Sequence, residues 1–268
     1  MTKGLSLHIG MNVVDPGHYG SSLPLTGAVP DARAMQKLAA GLGYQTTTLL
    51  DDEGTTGNVV RKVVDAAGSL GSGDIFMLTY AGHGSQVFDR TGDETDGFDE
   101  TWCLYDRMLL DDEIFRLLSY FEAGVRVLLV SDSCHAGTVA RKALSTELVS
   151  AATGFRGLAR EAAAEIAEKF DSTYTTAKLM SLRSEAAQPR ASIELLAACQ
   201  DNQLAQDWGT NGFFTINLLN VWDKGKFTGT HPQFFRQIRD QMPPTQTPNR
   251  MSLGPAHTKF QTGKPFEI

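Results

Sequence analysis

Two short segments of the sequence combine reactive side chains with small residues at the ends of apolar runs. His83 lies between two glycines after the run 74–81, and Cys134 follows the run 125–131. A thiol beside an imidazole is an activated nucleophile, because the base takes the thiol proton and later protonates the leaving group. The backbone amides of Gly84 and Cys134 are available to stabilise a tetrahedral oxyanion. This combination predicts acyl transfer.

Each of these residues also has an ordinary interpretation. A single cysteine after an apolar strand is most often a small buried residue, and a histidine between glycines is most often part of a turn. The pair favours catalysis, since the carboxyl ends of neighbouring parallel strands meet at one sheet edge. His135 adjoins Cys134, but adjacent side chains of an extended chain point to opposite sides. His83 is therefore the predicted base.

The elements that must position these residues alternate along the chain. Apolar runs rich in β-branched residues predict five strands, at 5–14, 44–50, 74–81, 125–131 and 192–198. Amphipathic patterns predict helices between and after them, starting near Pro30 and Thr55 and spanning 114–121, 158–170, 213–222 and 232–241. This order predicts an α/β fold with a mostly parallel central sheet and helices on both faces.

The composition excludes several other classes of protein. The 268 residues include 24 basic and 31 acidic side chains, a net charge of −7, and ten of the acids lie between residues 89 and 113. No basic surface typical of a nucleic-acid binder is predicted. No apolar run is long enough to cross a membrane and no signal peptide is evident, so a cytoplasmic location is expected. Three widely spaced cysteines give no disulfide framework.

Four ordered motifs resemble the bacterial metacaspase and orthocaspase branch of the caspase-like cysteine peptidases. They are Tyr-Ala-Gly-His-Gly-Ser-Gln (80–86), Asp-Glu-Thr-Asp-Gly-Phe-Asp-Glu (93–100), Leu-Asp-Asp-Glu (110–113) and Ser-Asp-Ser-Cys-His-Ala-Gly (131–137). Residues 199–203 and 246–248 are similar to the small-subunit region of that family. The resemblance implies a caspase-like (caspase-hemoglobinase) fold, with His83 as general base, Cys134 as nucleophile and cleavage after Arg or Lys.

The same resemblance implies one peptidase domain over residues 1–268. A large, p20-like segment (1–137) and a small, p10-like segment (191–268) are joined by an insertion or linker (138–190) that matches none of the motifs. A protein or peptide with a basic residue before the cut bond is then the expected partner. Self-cleavage within 138–190 is a further hypothesis, because the insertion contains many basic residues, among them Arg141, Lys142, Arg156, Arg160, Arg183 and Arg190.

A binding pocket for a basic side chain requires buried carboxylates, because a desolvated guanidinium must be paired. Asp132 stands two residues before Cys134, and Asp31 lies in the first turn of the first predicted helix. By resemblance, both are the pocket acids. The ordinary alternatives stay open: Asp31 favours a helix N-terminus through the helix dipole, and Asp132 can accept from backbone amides.

The resemblance also points to a calcium site at Asp99, Asp111 and Asp112, whose hard oxygen atoms suit Ca²⁺. A further carboxylate is expected shortly after the nucleophile, but residues 138–142 contain no acid and two bases. A solvated acidic loop is the alternative interpretation, and cysteine–histidine chemistry requires no cofactor.

Two other functions can be weighed against a peptidase. A catalytically inactive caspase-like scaffold or binding module would be free to lose His83 or Cys134, yet the chain keeps both. A domain that binds a phosphorylated ligand would carry a glycine-rich phosphate loop after the first strand, and neither common form of that loop is present.

Overall fold

A six-stranded sheet lies at the centre of the computed structural model, which describes residues 2–89, 97–134, 155–185, 189–200, 203, 205–207 and 210–268. The strands in chain order are β1 (Gly4–Gly10), β2 (Gln45–Leu50), β3 (Ile75–Ala81), β4 (Gly84–Phe88), β5 (Phe98–Cys103), β6 (Met108–Leu110), β7 (Arg126–Asp132), β8 (Ser192–Ala197) and β9 (Asn249–Leu253). The helices are α1 (Pro16–Tyr19), α2 (Ala28–Gly41), α3 (Thr56–Ala67), α4 (Asp111–Leu118), α5 (Arg160–Lys169), α6 (Asp171–Glu185), α7 (Phe213–Trp222), α8 (His231–Asp240) and α9 (Thr258–Thr262).

The central sheet has the strand order β2-β1-β3-β7-β8-β9, with every pair parallel except β8 and β9. Strands β3 and β7 are buried along their whole length, which explains their continuous apolar sequences. They are direct neighbours, and Ala81 pairs with Asp132 at their carboxyl ends. The prediction that these two strands are adjacent is confirmed.

Helices cover both faces of this sheet. Met77 of β3 packs in one apolar cluster with residues of α2, α7 and α8, whereas the next residue, Leu78, packs in another with residues of α3 and α4. Successive side chains of a strand point to opposite faces, so β3 has an apolar layer on each side. The predicted α/β architecture is confirmed.

A second, three-stranded antiparallel sheet, ordered β4-β5-β6, was not predicted. Its strands are short and lie beside the acidic, glycine-containing stretch, so no clear period of two was evident. Strand β4 begins directly after His83. The small sheet therefore starts at one of the two residues of the predicted pair, His83 and Cys134.

The insertion contains two helices in its described part. The sequence predicted a helix over 158–170, and α5 occupies Arg160–Lys169. Helix α6, which packs against α4, was not predicted, because its Ser/Thr-rich sequence has almost no amphipathic pattern. Strand β9 was also missed, since a proline-rich run precedes it. Among the described helices, none combines the length and the apolar character that a membrane crossing requires.

Candidate active site

His83 and Cys134 lie at the same edge of the central sheet. Each stands two residues beyond the paired strand ends Ala81 and Asp132. The side chain of Cys134 is fully buried, and its sulfur accepts from the backbone N–H of Ala205. A side chain cannot replace the hydrogen of Gly84, because a Cβ there would collide with the backbone carbonyl of Cys134. The backbones of Gly84 and Cys134 therefore lie too close together for a side chain at position 84.

The ring of His83 is oriented by the backbone of a distant loop. Its Nε2 donates to the carbonyl oxygen of Leu23 at 2.9 Å. A carbonyl can only accept, so the neutral ring carries its proton on Nε2 and its lone pair on Nδ1. Burial lowers the pKa of His83 to about 4, although the Leu23 bond opposes this shift. The ring is thus a neutral base in this conformation.

A segment from the insertion lies across this sheet edge. The carbonyl oxygen of Arg156 accepts from the backbone N–H of Cys134 at 3.0 Å and from that of Gly84 at 3.2 Å. The N–H of Arg156 donates to the carbonyl of Ala205 at 3.0 Å. Two amides that converge on one carbonyl oxygen form the arrangement of an oxyanion hole. The two amides predicted from the sequence therefore share one acceptor, which belongs to the Arg156–Gly157 peptide bond.

The guanidinium of Arg156 is fully buried among three carboxylates. Its Nη2 lies 2.6 Å from Asp31 Oδ2 and 3.2 Å from Asp207 Oδ1, and its Nη1 lies 3.2 Å from Asp132 Oδ2. Gly212 forms a wall of this pocket, where a Cβ would lie 2.6 Å from Asp132 Oδ2. The structure brings together both acids proposed for the pocket and adds a third, Asp207.

The backbone around the pocket holds these carboxylates in place. Asp31 Oδ2 accepts from the N–H of Gly212 at 2.9 Å, and Asp132 Oδ2 accepts from the N–H of Thr215 at 3.1 Å and from its hydroxyl at 2.6 Å. Thr215 is in the first turn of α7, where amides have no partner within the helix. The alternative interpretation of Asp132, an acceptor for backbone amides, is therefore also correct.

The pocket concentrates more negative charge than one guanidinium neutralises. Burial raises the pKa of Asp31 to about 7, with a further rise from Asp132, while Arg156 opposes the shift. Burial alone would raise the pKa of Asp207 too, but amide hydrogen bonds from Thr26 and Gly27 and the charge of Arg156 lower it. The carboxylates in turn raise the pKa of Arg156, although its burial acts in the opposite direction. An arginine in this pocket stays charged.

Sequence reasoning missed Asp207, Ala205 and Leu23, and it named Arg156 only as one of six basic residues. Asp207 lies in the stretch that follows the carboxyl end of β8, and this position was the one signal that could have indicated it. Ala205 and Leu23 act through their backbones, so their side chains carried no signal. Of the other five basic residues, Arg141 and Lys142 lie outside the described residues.

The predicted calcium ligands also come together, but a lysine lies among them. One oxygen from each of Asp99, Asp111 and Asp112 can be chosen so that all lie within 4.8 Å of one another. The ammonium of Lys178 lies 2.7 Å from Asp99 and also pairs with Asp112. Burial raises the pKa of Asp99 to about 6, the charges of Asp112 and Asp89 raise it further, and Lys178 opposes the shift. These oxygens suit a divalent cation, which would have to displace the Lys178 ammonium.

Solved structures of other proteins resemble this fold. A Geobacter sulfurreducens protein of known crystal structure is 42% identical and superposes with a TM-score of 0.90 over 99% of both chains. Caspase-1 from Spodoptera frugiperda has a TM-score of 0.58 over 93% of this chain and 86% of its own. At 11% identity, the second likeness concerns the fold alone.

Curated relatives include metacaspases of plants and fungi. Metacaspase-4 of Arabidopsis thaliana is 37% identical over 148 residues, which cover 51% of this chain and 34% of that protein. Metacaspase-1 of Mycosarcoma maydis is 27% identical over 281 residues, which cover 89% of this chain and 67% of that protein. The chain thus spans about a third of the plant protein and two thirds of the fungal one.

The sheet order and the residues at its carboxyl edge define a protein of the caspase-like class. The family model described as "Caspase domain" matches residues 7–260. The chain therefore belongs to the caspase family, and the metacaspases are among its relatives. Membership supports cysteine peptidase activity in broad terms.

Proposed function

We propose that this chain is a cysteine endopeptidase that cleaves peptide bonds after arginine or lysine. One observation carries the proposal: the guanidinium of Arg156 is buried among Asp31, Asp132 and Asp207, while its carbonyl accepts from the amides of Gly84 and Cys134. A basic side chain and the carbonyl that follows it thus satisfy the pocket and the oxyanion hole together.

The proposed reaction uses residues of the chain alone. His83 takes the proton of the Cys134 thiol, and the thiolate attacks the carbonyl carbon to give a tetrahedral oxyanion held by the Gly84 and Cys134 amides. Collapse breaks the peptide bond, and His83 protonates the leaving amine. Water then attacks the thioester, with His83 as base, and releases the carboxylate product and the thiol. No step requires a cofactor.

The Arg156–Gly157 bond is proposed as the enzyme's own cleavage site. Of the six basic residues considered in the insertion, Arg156 has its side chain in the acidic pocket and its carbonyl between the two amides. Cleavage there would divide the 268 residues into 1–156 and 157–268. Release of the first product would vacate the site for a substrate protein.

We also propose that the protein acts in the cytoplasm, and cell fractionation would test this location.

Fluorogenic peptides with Arg, Lys or Asp before the cut bond test this function. The wild type should turn over the Arg and Lys peptides and not the Asp peptide, with and without a calcium chelator, and Cys134→Ala should turn over none. Failure to cleave any basic peptide would contradict the assignment and favour an inactive caspase-like scaffold. Equal activity of Cys134→Ala would assign the nucleophile to another residue.

Mass spectrometry of the purified protein tests the cleavage site. The wild type should yield fragments that end at Arg156 and begin at Gly157, and Arg156→Gln should abolish them. Arg190→Gln is the matched control, because Arg190 is an exposed basic residue of the same insertion. Unchanged fragments from Arg156→Gln would refute the proposed site.

A further inference from the structure

The segment that follows Arg156 continues along β4 as an added strand. Gly157 forms a parallel bridge with Gly84, and the N–H of Leu158 donates to the carbonyl of Gly84 at 2.9 Å. The hydroxyl of Ser85 donates to the carbonyl of Leu158 at 2.8 Å, and this hydroxyl is buried. If Arg156 precedes the cut bond, these contacts bind the part of the substrate that follows it.

The side chain of Leu158 is almost completely buried beside the loop that contains Leu23, whose carbonyl orients His83. It is 7% exposed and belongs to one apolar cluster with Val14, Leu23 and Val87. Val87 belongs to β4, and Leu23 is the residue whose carbonyl orients His83. The second position after the cut bond therefore meets an apolar surface that includes Val87 of β4 and Leu23, the partner of His83.

The extended pairing is short. Gly157 and Leu158 lie along β4, and α5 begins at Arg160. A helix cannot continue the strand pairing, because its backbone groups bond within the helix. Backbone pairing along β4 thus concerns the first two residues after the cut bond.

We propose that β4 is a docking strand for the leaving side of the substrate, where Ser85 binds the backbone of the second residue and an apolar subsite selects its side chain. This inference rests on the proposed function and deepens it. The ligand class is an extended peptide with an aliphatic second residue after the cut bond. Backbone pairing supplies affinity and the side-chain subsite supplies specificity, as in other cases of strand addition.

Three peptides with the same sequence up to arginine test the proposal on the full chain. One carries the fluorophore directly on the arginine, and two are internally quenched and continue as Arg-Gly-Leu-Ala or Arg-Gly-Asp-Ala. The Leu peptide should exceed the Asp peptide in kcat/KM by about 10-fold or more, because a carboxylate is costly to bury in an apolar subsite. Equal kcat/KM values for the Leu and Asp peptides would refute the proposal of an apolar subsite.

Ser85→Ala separates binding on the leaving side from a general defect. The ratio to measure is kcat/KM for the Leu peptide divided by kcat/KM for the peptide with the fluorophore on arginine. Loss of the Ser85 hydroxyl should lower this ratio by about 3- to 10-fold. Ser69→Ala, an exposed serine after α3, is the control and should leave this ratio unchanged. An equal loss on both peptides, or no loss, would overturn the role of Ser85. If the wild type cleaves none of the peptides, the proposed function itself fails.

Discussion

Three carboxylates share one guanidinium in the pocket, and the pKa values of Asp31 and Asp207 shift in opposite directions. Asp207 is held ionised by amide hydrogen bonds, whereas burial raises the pKa of Asp31 to about 7. A raised pKa means that Asp31 binds a proton as the pH falls through 7. The negative charge available to a basic side chain therefore decreases on the acid side of neutrality.

This charge loss predicts a pH-dependent affinity for basic substrates. Between about pH 8 and about pH 6, the KM of an arginine peptide should rise several-fold, because Asp31 becomes neutral in that interval. Asp31→Asn has no carboxylate to titrate, so its KM should be higher at pH 8 and change little. Steady-state kinetics across this range measure the effect. A citrulline peptide is the neutral control, and an unchanged slope in Asp31→Asn would assign the effect to another group.

Leu23, whose carbonyl accepts from His83, has a strained backbone. Its φ is +42°, a left-handed conformation that is unfavourable for a branched side chain. Such residues persist where the surrounding structure determines them. Here the carbonyl accepts from His83 and the side chain packs in the cluster that contains Leu158. Both contacts are made from this unusual turn.

Helix α6 contacts β5 and α4 through a buried ion cluster. The ammonium of Lys178 pairs with Asp99 and Asp112 and lies 3.6 Å from Asp89. Carboxylates outnumber this lysine, so a divalent cation would neutralise the cluster more completely. The Lys178 ammonium and a divalent cation cannot bind the same carboxylate oxygens of Asp99 and Asp112 at the same time. The cluster therefore links the position of α6 to any cation that competes with Lys178.

Removal of the ammonium should destabilise the fold in a way that calcium corrects. Breaking a buried ion pair costs about 3 to 5 kcal/mol, so Lys178→Met should lower Tm by roughly 5 to 15 °C. Millimolar Ca²⁺ should raise the Tm of this variant more than that of the wild type, because the acids are then accessible. Thermal melts with and without Ca²⁺ measure this, and Lys169→Met on the exposed side of α5 is the control. An equal calcium response in all three proteins would refute the competition.

Arg156 and the pocket that binds its side chain belong to one chain. Whether the proposed self-cleavage occurs within one molecule therefore depends on how the whole chain packs. Residues from four separated parts of the sequence, near 31, 132, 156 and 207, meet at this pocket. The Arg156 side chain is fully buried there. A second molecule would first have to displace this segment before it could present its own.

The cut should therefore be intramolecular. The first-order rate constant for appearance of the 1–156 fragment should stay constant over about a 50-fold dilution, since a reaction within one molecule does not depend on encounter. Wild type mixed with tagged Cys134→Ala should leave the tagged protein intact during the first half-life. Gel densitometry follows both species. A half-life inversely proportional to concentration would show cleavage between molecules.

The order of elements and the main chemical residues could be predicted from the sequence because their signals are local. Buried parallel strands require continuous apolar runs, and these identified β3 and β7 together with the positions of His83 and Cys134 that follow them. The register then confirmed the inference that both lie at one edge. Weak local patterns explain the failures: α6 is not amphipathic, and β4, β5 and β6 are short.

The amino-acid sequence by itself predicted the α/β fold and the pair His83 and Cys134, and its resemblance to a family implied Asp31 and Asp132 as pocket acids. Only the tertiary structure decided that Asp207 lies in the pocket, that Arg156 occupies it, and that Lys178 lies among the predicted calcium ligands. The physical reason is the range of the interaction. Periodicity reports which face of an element is buried, whereas a contact between residues 51 to 125 positions apart depends on how the whole chain packs.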